Sequence, residues 1–440
     1  MKKEYGLFSS IAMIVGICIG SGIFFKCDNI LIASHGSISI GVMLFILAAL
    51  AIIFGGLTFS ELASRTEESG GLITYGEVFI SKRIGILFGW FQTLIYFPTI
   101  IVIGMSVFGG YINILFNLKA SFEIELLLGF LYLTFSFFYN IYIPKLGLIF
   151  QNGSTIIKLI PLLLIGILGF LYGDPLTGLT SAPLTKVSTI SLLAALGPIG
   201  YSFDGWICAT AICGEIKDAK RNLPLALIIS PLIVLGIYIL YFVGVSSFIS
   251  PSEIMTLKDS YVAVAATNLL GSSFAKSIII FIIISVMGGI NGLTISYIRL
   301  PYSLAIRGNL IPFASKLREL DRNEPKNSAL FAYILCIFWL LIHYLCVKFN
   351  LLNNSDISEI SVAVSYVLYI SLYYKVFKMY KHKEIKSFFK GVICPFLATI
   401  GSLIILSGAI QNYLFIFYAL LCIIVMLTGN IYFNKHQKSA

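Results

Sequence analysis

The chain has 440 residues, of which 58% are hydrophobic and only 11% charged, with a formal net charge of +10. That composition, at a mean hydropathy of +0.95, exceeds what a water-soluble core can bury and points to a polytopic membrane protein. It excludes a soluble enzyme, and basic residues scattered over many short loops argue against nucleic acid as a partner.

Apolar runs near the ~20 residues that cross a bilayer as a helix fall at about 7–32, 38–63, 84–116, 123–143, 146–172, 190–211, 223–249, 270–306, 327–348, 357–378, 389–410 and 412–433. About twelve transmembrane helices are therefore expected, in a single all-α integral membrane domain over residues 1–440. The first run follows basic residues, as a signal peptide would, but it is too long and lacks a small-residue cleavage pattern, so it reads as a retained span. Lys and Arg crowd one set of loops and span ends, among them Lys2, Lys3, Arg65, Lys82, Arg83, Lys145 and the cluster Lys375 to Lys390. The other set holds little more than Lys26, Lys119, Lys186, Lys258, Lys276 and Lys348. This bias places both termini in the cytoplasm of a cell-membrane protein, with attraction to anionic membrane lipid as a secondary use of the charge.

Span one carries "VGICIGSGIFF", Val15 to Phe25. Gly16 and Gly20 have the small-x-x-x-small spacing of close helix packing. The cluster Gly20-Ser21-Gly22 instead favours local unwinding, tolerated at depth only where a cavity is lined. For Gly16 both readings stay open. Unwinding near Gly20 would present the N–H groups of Ser21, Gly22 and Ile23 at the positive end of an outer half-helix, an anion site. It would also free the carbonyls around Ile17 and Cys18, a cation site.

Span two ends on Glu61 and Arg65, four apart, a possible cytoplasmic gate pair of a kind that is common and worth only ~0.3–0.5 kcal/mol when exposed. In span three Gln92 and Tyr96, also four apart, either line a pocket or simply pack. Span five carries Lys158 about 12 residues in, near mid-membrane at ~1.5 Å per residue. An amine at that depth should face a cavity or a partner; the alternative is a lysine that snorkels to the interface. Span six contains "GPIGYSFDGW", with Pro198, Gly200, Asp204 and Gly205 inside the span, and a break there frees the carbonyls of Gly200, Tyr201 and Ser202. Asp204 either neutralises a cationic substrate or caps the following half-helix, and capping is preferred. His343, among apolar residues of span nine, reads as a packed, hydrogen-bonded core histidine. The eight cysteines show no C-x-x-C pair and no two of the four histidines have ligand spacing, so disulfides, structural metal and other cofactors are not expected.

The interrupted segments lie five spans apart in the chain. Five is odd, so a second half laid out like the first enters the membrane from the opposite side, and broken spans at matching positions of inverted halves mark a transporter's central site. Residues 1–172 form the first repeat, 190–378 the second, and 389–433 two accessory spans. A carboxylate receptor beside an ammonium receptor, both built of backbone, fits the head of an α-amino acid.

Gly20-Ser21-Gly22-Ile23-Phe24 resembles the span-one signature of the amino acid-polyamine-organocation superfamily. "SELASRTEESGG" (Ser60–Gly71), "FDGWICATAICGEIKDAKRNLP" (Phe203–Pro224) and "RLPYSLAIRGNLIP" (Arg299–Pro312) resemble its motifs after span two, in span six and after span eight, in the right order. The resemblance implies the LeuT-type 5+5 inverted-repeat fold with two accessory helices. It further implies that Ser21 and Gly22 hold the substrate carboxylate, that the carbonyls of Cys18, Tyr201 and Asp204 take the ammonium, and that the Tyr201 ring belongs to the outer gate. Lys158 then stands where sodium-coupled relatives hold a cation, within reach of the span-one carbonyls and of span eight near Ser285, and couples occupancy to conformational change. Two departures limit the transfer: Glu67 and Leu72-Ile73 replace the usual proline and Glu-Tyr, and Tyr201-Ser202-Phe203 replaces Phe-Ala-Tyr, so side-chain specificity does not carry over.

The expected function is secondary active transport of α-amino acids, preferably neutral, by exchange or proton symport. No G-x-x-x-x-G-K-[ST] occurs, which disfavours ATP-driven transport by this chain. The alternatives are a cationic amino acid or polyamine carrier that uses Asp204, and a non-transporting amino acid sensor. An integral-membrane enzyme would need an acid/base or metal cluster that the spans lack. No segment advertises an accessory subunit.

Overall fold

The computed structural model describes residues 3–20, 22–180, 183, 188–257, 261–308, 311–321, 324–351, 356–412 and 414–437. Among the described residues it is helical, with strand-like pairing confined to two isolated bridges, Tyr5 with Ile216 and Asp321 with Glu324. In chain order the helices are α1 (Leu7–Cys18), α2 (Gly22–Ala33), α3 (Ile38–Ala63), α4 (Leu72–Phe79), α5 (Lys82–Phe91), α6 (Phe97–Phe116), α7 (Phe122–Tyr142), α8 (Pro144–Tyr172), α9 (Pro175–Thr180) and α10 (Thr189–Ser202). There follow α11 (Ala219–Phe248), α12 (Pro251–Leu257), α13 (Tyr261–Leu270), α14 (Ser272–Ile306), α15 (Ala314–Leu317), α16 (Lys326–Lys348), α17 (Glu359–Lys381), α18 (Cys394–Ala409) and α19 (Phe415–Gln437).

Ten uninterrupted helices among the described residues are long and apolar enough to span a bilayer, α5 and α6 counting as one through a π-helical turn at Gln92–Tyr96. They coincide with ten of the twelve expected spans. The other two expected segments, 7–32 and 190–211, hold no continuous helix.

The first break falls where the glycines cluster. Ile19 leaves helical geometry with ψ at 75°, and the Gly20 amide turns back to the Cys18 carbonyl at 2.9 Å instead of closing a helical bond to Gly16. A bilayer tolerates such a backbone only where other groups satisfy it. The second break follows Ser202: a turn runs to Ile207, with Gly205 at φ +90°, and a 3-10 turn then covers Cys208–Glu215.

The spans around these breaks are held by close backbone approach, which in lipid substitutes for the missing hydrophobic drive between helices. On the α8–α11 seam a methyl group added to Gly169 would lie 2.2 Å from the Gly244 carbonyl oxygen, and one on Gly244 2.2 Å from that of Gly166. Helix α1 packs against α8, α11 and α14, while α18 packs against α3 and α17.

At the end carrying Lys3 the chain is tied across elements. The Tyr5 amide donates to the Glu215 carbonyl at 3.1 Å and the Lys217 amide to the Tyr5 carbonyl at 2.8 Å. Arg299, 3% exposed, grips Glu215 with both Nε (2.8 Å) and Nη2 (3.2 Å). Lys3 pairs with Glu67 at 3.0 Å, and its hydrogen bond holds that carboxyl below the usual carboxylate range.

Candidate functional site

The two breaks meet. Ile17, Cys18 and Gly20 of the first and Ser202, Asp204 and Gly205 of the second line one cavity, closed on its sides by α6 at Ile100 and α14 at Ile290. Its volume is about 50 Å³. A single water needs ~10–15 Å³ of such space, so the breaks enclose room for several waters between them. Gly205 lets span one come this close: a methyl group there would lie 2.3 Å from Ile17 Cγ2, and its φ of +90° disfavours any other residue.

Lys158 occupies the first break from behind. Its Nζ donates to the carbonyls of Gly16 (2.6 Å), Ile19 (2.9 Å) and Ser285 (3.2 Å). An ammonium has three N–H donors, and here each has an acceptor, so a fully buried cation joins α8, the break and α14. The Gly16 carbonyl, deprived of the Gly20 amide, depends on this bond. Space for the amine comes from Gly288, where a methyl group would lie 3.2 Å from Nζ. Snorkelling is therefore overturned: the side chain is 0% exposed and points inward.

Two further expectations are corrected. The carbonyls of Cys18 and Ser202 are not free, because the Tyr238 hydroxyl on α11 lies 2.8 Å from the one and 2.7 Å from the other. One O–H carries one proton, so the two carbonyls share it and Tyr238 bridges the breaks. Asp204 does not cap the next turn, which begins at Cys208 behind Ile207 without a side-chain cap. Its Oδ2 accepts from the Tyr96 hydroxyl at 2.5 Å.

Tyr96 reaches Asp204 from the π-helical turn, which releases carbonyls from the helical ladder. Tyr297 takes that of Thr93 at 2.7 Å and Trp339 Nε1 that of Leu94 at 2.7 Å. Of the other candidates, Ser21 and the Tyr201 side chain lie outside the described residues. Gly22 opens α2, and Ile23 is buried outside the cavity lining. Glu61 and Arg65 pair at 3.1 Å at the end of α3, away from the cavity, and Lys390 joins Glu61 at 2.9 Å. Gly16 is a packing glycine, since an added methyl group would lie 2.3 Å from Thr155 Oγ1, whereas at Gly20 it would meet only the Ile17 carbonyl at 3.5 Å. His343 packs edge-on against Phe122 at 5.9 Å, but neither ring nitrogen has a hydrogen-bond partner among the described residues, contrary to the bonded histidine expected.

Tyr238 and the Arg299–Glu215 pair escaped the sequence reading. A tyrosine inside an apolar span looks like an interfacial belt residue, and Arg299 and Glu215 lie in separate motifs with nothing to show that they meet.

The family model described as amino acid permease matches residues 5–407. The chain is 32% identical over 416 residues to the serine/threonine exchanger SteT of Bacillus subtilis (strain 168), covering 93% of this chain and 92% of that protein. It is 27% identical to the b(0,+)-type amino acid transporter 1 of Mus musculus over 78% of this chain and 70% of that one. It is also 25% identical to the cystine/glutamate transporter of Homo sapiens over 95% and 86%.

Proposed function

The chain belongs to the amino acid permease family, and from that premise we propose that it exchanges small neutral α-amino acids by alternating access. The observation that carries this reading is the convergence of two helix breaks on one cavity. The amides that open α2 receive the substrate carboxylate at a positive helix end, and the carbonyls beside Ile17, Cys18, Tyr201 and Asp204 receive the ammonium. Binding then competes with the Tyr238 hydroxyl for the Cys18 and Ser202 carbonyls, so the substrate itself loosens the bridge between the breaks. Residues 1–172 and 190–378 act as inverted halves that rock about this point, with 389–433 accessory to them, and both termini lie on the cytoplasmic side. Small neutral substrates are favoured by the likeness to a serine/threonine exchanger and by the engagement of Asp204 with Tyr96; a cationic substrate would have to displace that hydroxyl.

The test is uptake of labelled L-serine into liposomes containing the purified protein. Uptake should depend on amino acid inside the vesicle, and unlabelled alanine should compete better than arginine or putrescine. Uptake independent of internal amino acid but driven by a proton gradient would replace exchange with symport. Binding without flux would make the protein a sensor.

A further inference from the structure

Away from both breaks, a cavity of about 320 Å³ opens between α17 and α18. Tyr373, Tyr374, Phe377, Val392, Pro395 and Phe396 line it. Tyr374 and Phe396 are 57% and 63% exposed, so it opens on the outer face of the bundle, where acyl chains lie. Its lining on α17 runs from Phe377 to Ile370, so its deep end lies roughly 16 Å below Lys381, the last residue of α17, at ~1.5 Å per residue. That is about half of the ~30 Å hydrocarbon core, the depth of one leaflet.

Charge at the rim distinguishes this cleft from an ordinary groove. Lys378 Nζ lies 4.9 Å over the ring of Tyr374 and Lys381 Nζ 5.0 Å over that of Phe377, two rings at the cavity. The stretch from Lys375 to Lys390 carries six lysines and a single acidic residue, Glu384. Lys390 is matched by Glu61, but Lys378 and Lys381 are exposed and have no carboxylate partner among the described residues. Two ammonium groups without a carboxylate partner, above an apolar slot whose deep end lies about one leaflet below the helix end, complement a molecule with a negative head and an apolar tail.

We propose that this cleft binds one anionic phospholipid, with an acyl chain between α17 and α18 and the phosphate on Lys378 and Lys381. A zwitterionic lipid offers the same tail without the net charge, so the lysines set the preference. Because α18 also packs against α3, whose Glu61 holds Lys390, the lipid bears on the contact between the accessory helices and span two.

The experiment measures lipid binding to the purified full-length protein by native mass spectrometry, titrating phosphatidylglycerol and phosphatidylcholine of the same chain length. The expected result is tighter binding of phosphatidylglycerol by about tenfold, given the attraction of anionic lipid to two lysines at the surface. K378Q/K381Q should abolish that preference while leaving phosphatidylcholine binding unchanged. V392W, which fills the slot, should weaken both lipids. The control K82Q/R83Q, at the inner end of another span, should retain the preference. Equal binding of the two lipids by the parent protein would overturn the proposal. So would a preference that survives K378Q/K381Q, or that falls equally in K82Q/R83Q and so reflects diffuse surface charge.

Discussion

Replacing Lys158 with methionine removes the cation while keeping much of the side-chain volume. The Gly16 and Ile19 carbonyls then lose their ammonium donor, and only the Ile19 oxygen keeps another contact, with Ser285 Oγ at 3.4 Å. An unsatisfied buried carbonyl costs ~1–3 kcal/mol, which here falls on Gly16, while Ile19 keeps the longer Ser285 contact. Deleting a buried charge returns part of this, leaving about 1–2 kcal/mol against the arrangement described. At ~1.4 kcal/mol per factor of ten, K158M should exchange labelled serine about five- to thirtyfold more slowly. K158Q, whose amide still donates, should fall between the two. The assay is counterflow in liposomes, with each variant first shown to be monodisperse and reconstituted in equal amount. If K158M exchanged within about twofold of the parent rate, with the same pH dependence, the lysine would not be coupling anything.

G205A should lower the thermal midpoint in detergent, since a left-handed φ costs ~1–2 kcal/mol for a residue with a Cβ and the new methyl group meets Ile17; adding I17A should recover only the steric part. G16A should destabilise through the collision with Thr155 while G20A keeps the melting temperature, a contrast read in the same thermal assay. E215Q leaves buried Arg299 with Glu324 at 3.5 Å as its carboxylate partner, so a loss below the ~3–5 kcal/mol typical of a broken buried pair is expected, read as less monodisperse protein on gel filtration; R299M/E215M, which removes both members of the closer pair, should recover part of it. Y96F frees the Asp204 carboxylate and should shift competition in labelled uptake towards arginine.

The positions of the breaks were legible in the sequence because weak helix formers cluster there, Gly20-Ser21-Gly22 in one span and Pro198, Gly200 and Gly205 in the other, where a single packing glycine would stand alone, and α1 ends at Cys18 and α10 at Ser202. The partners of Lys158 were also within reach, since a charge at that depth has few places to go. What filled the freed carbonyls was not legible. Tyr238 lies 36 residues from Ser202 and 220 from Cys18, and a hydroxyl that bridges them has no local pattern. Asp204 illustrates the opposite failure: its position suggested a helix cap, a local interaction, but a π-helical turn 108 residues earlier delivered a tyrosine to it. Local rules favoured the nearest partner, and tertiary packing supplied a better one.

We propose above that main-chain groups at the two breaks grip the head of an amino acid. A structure determined with L-serine bound in lipid nanodiscs tests it directly. The expected result is the serine carboxylate on the amides that begin α2 and its ammonium on carbonyls of the two breaks, with Tyr238 displaced from at least one of them. Serine held elsewhere, or held at the cavity only through side chains with both breaks unchanged, would contradict it.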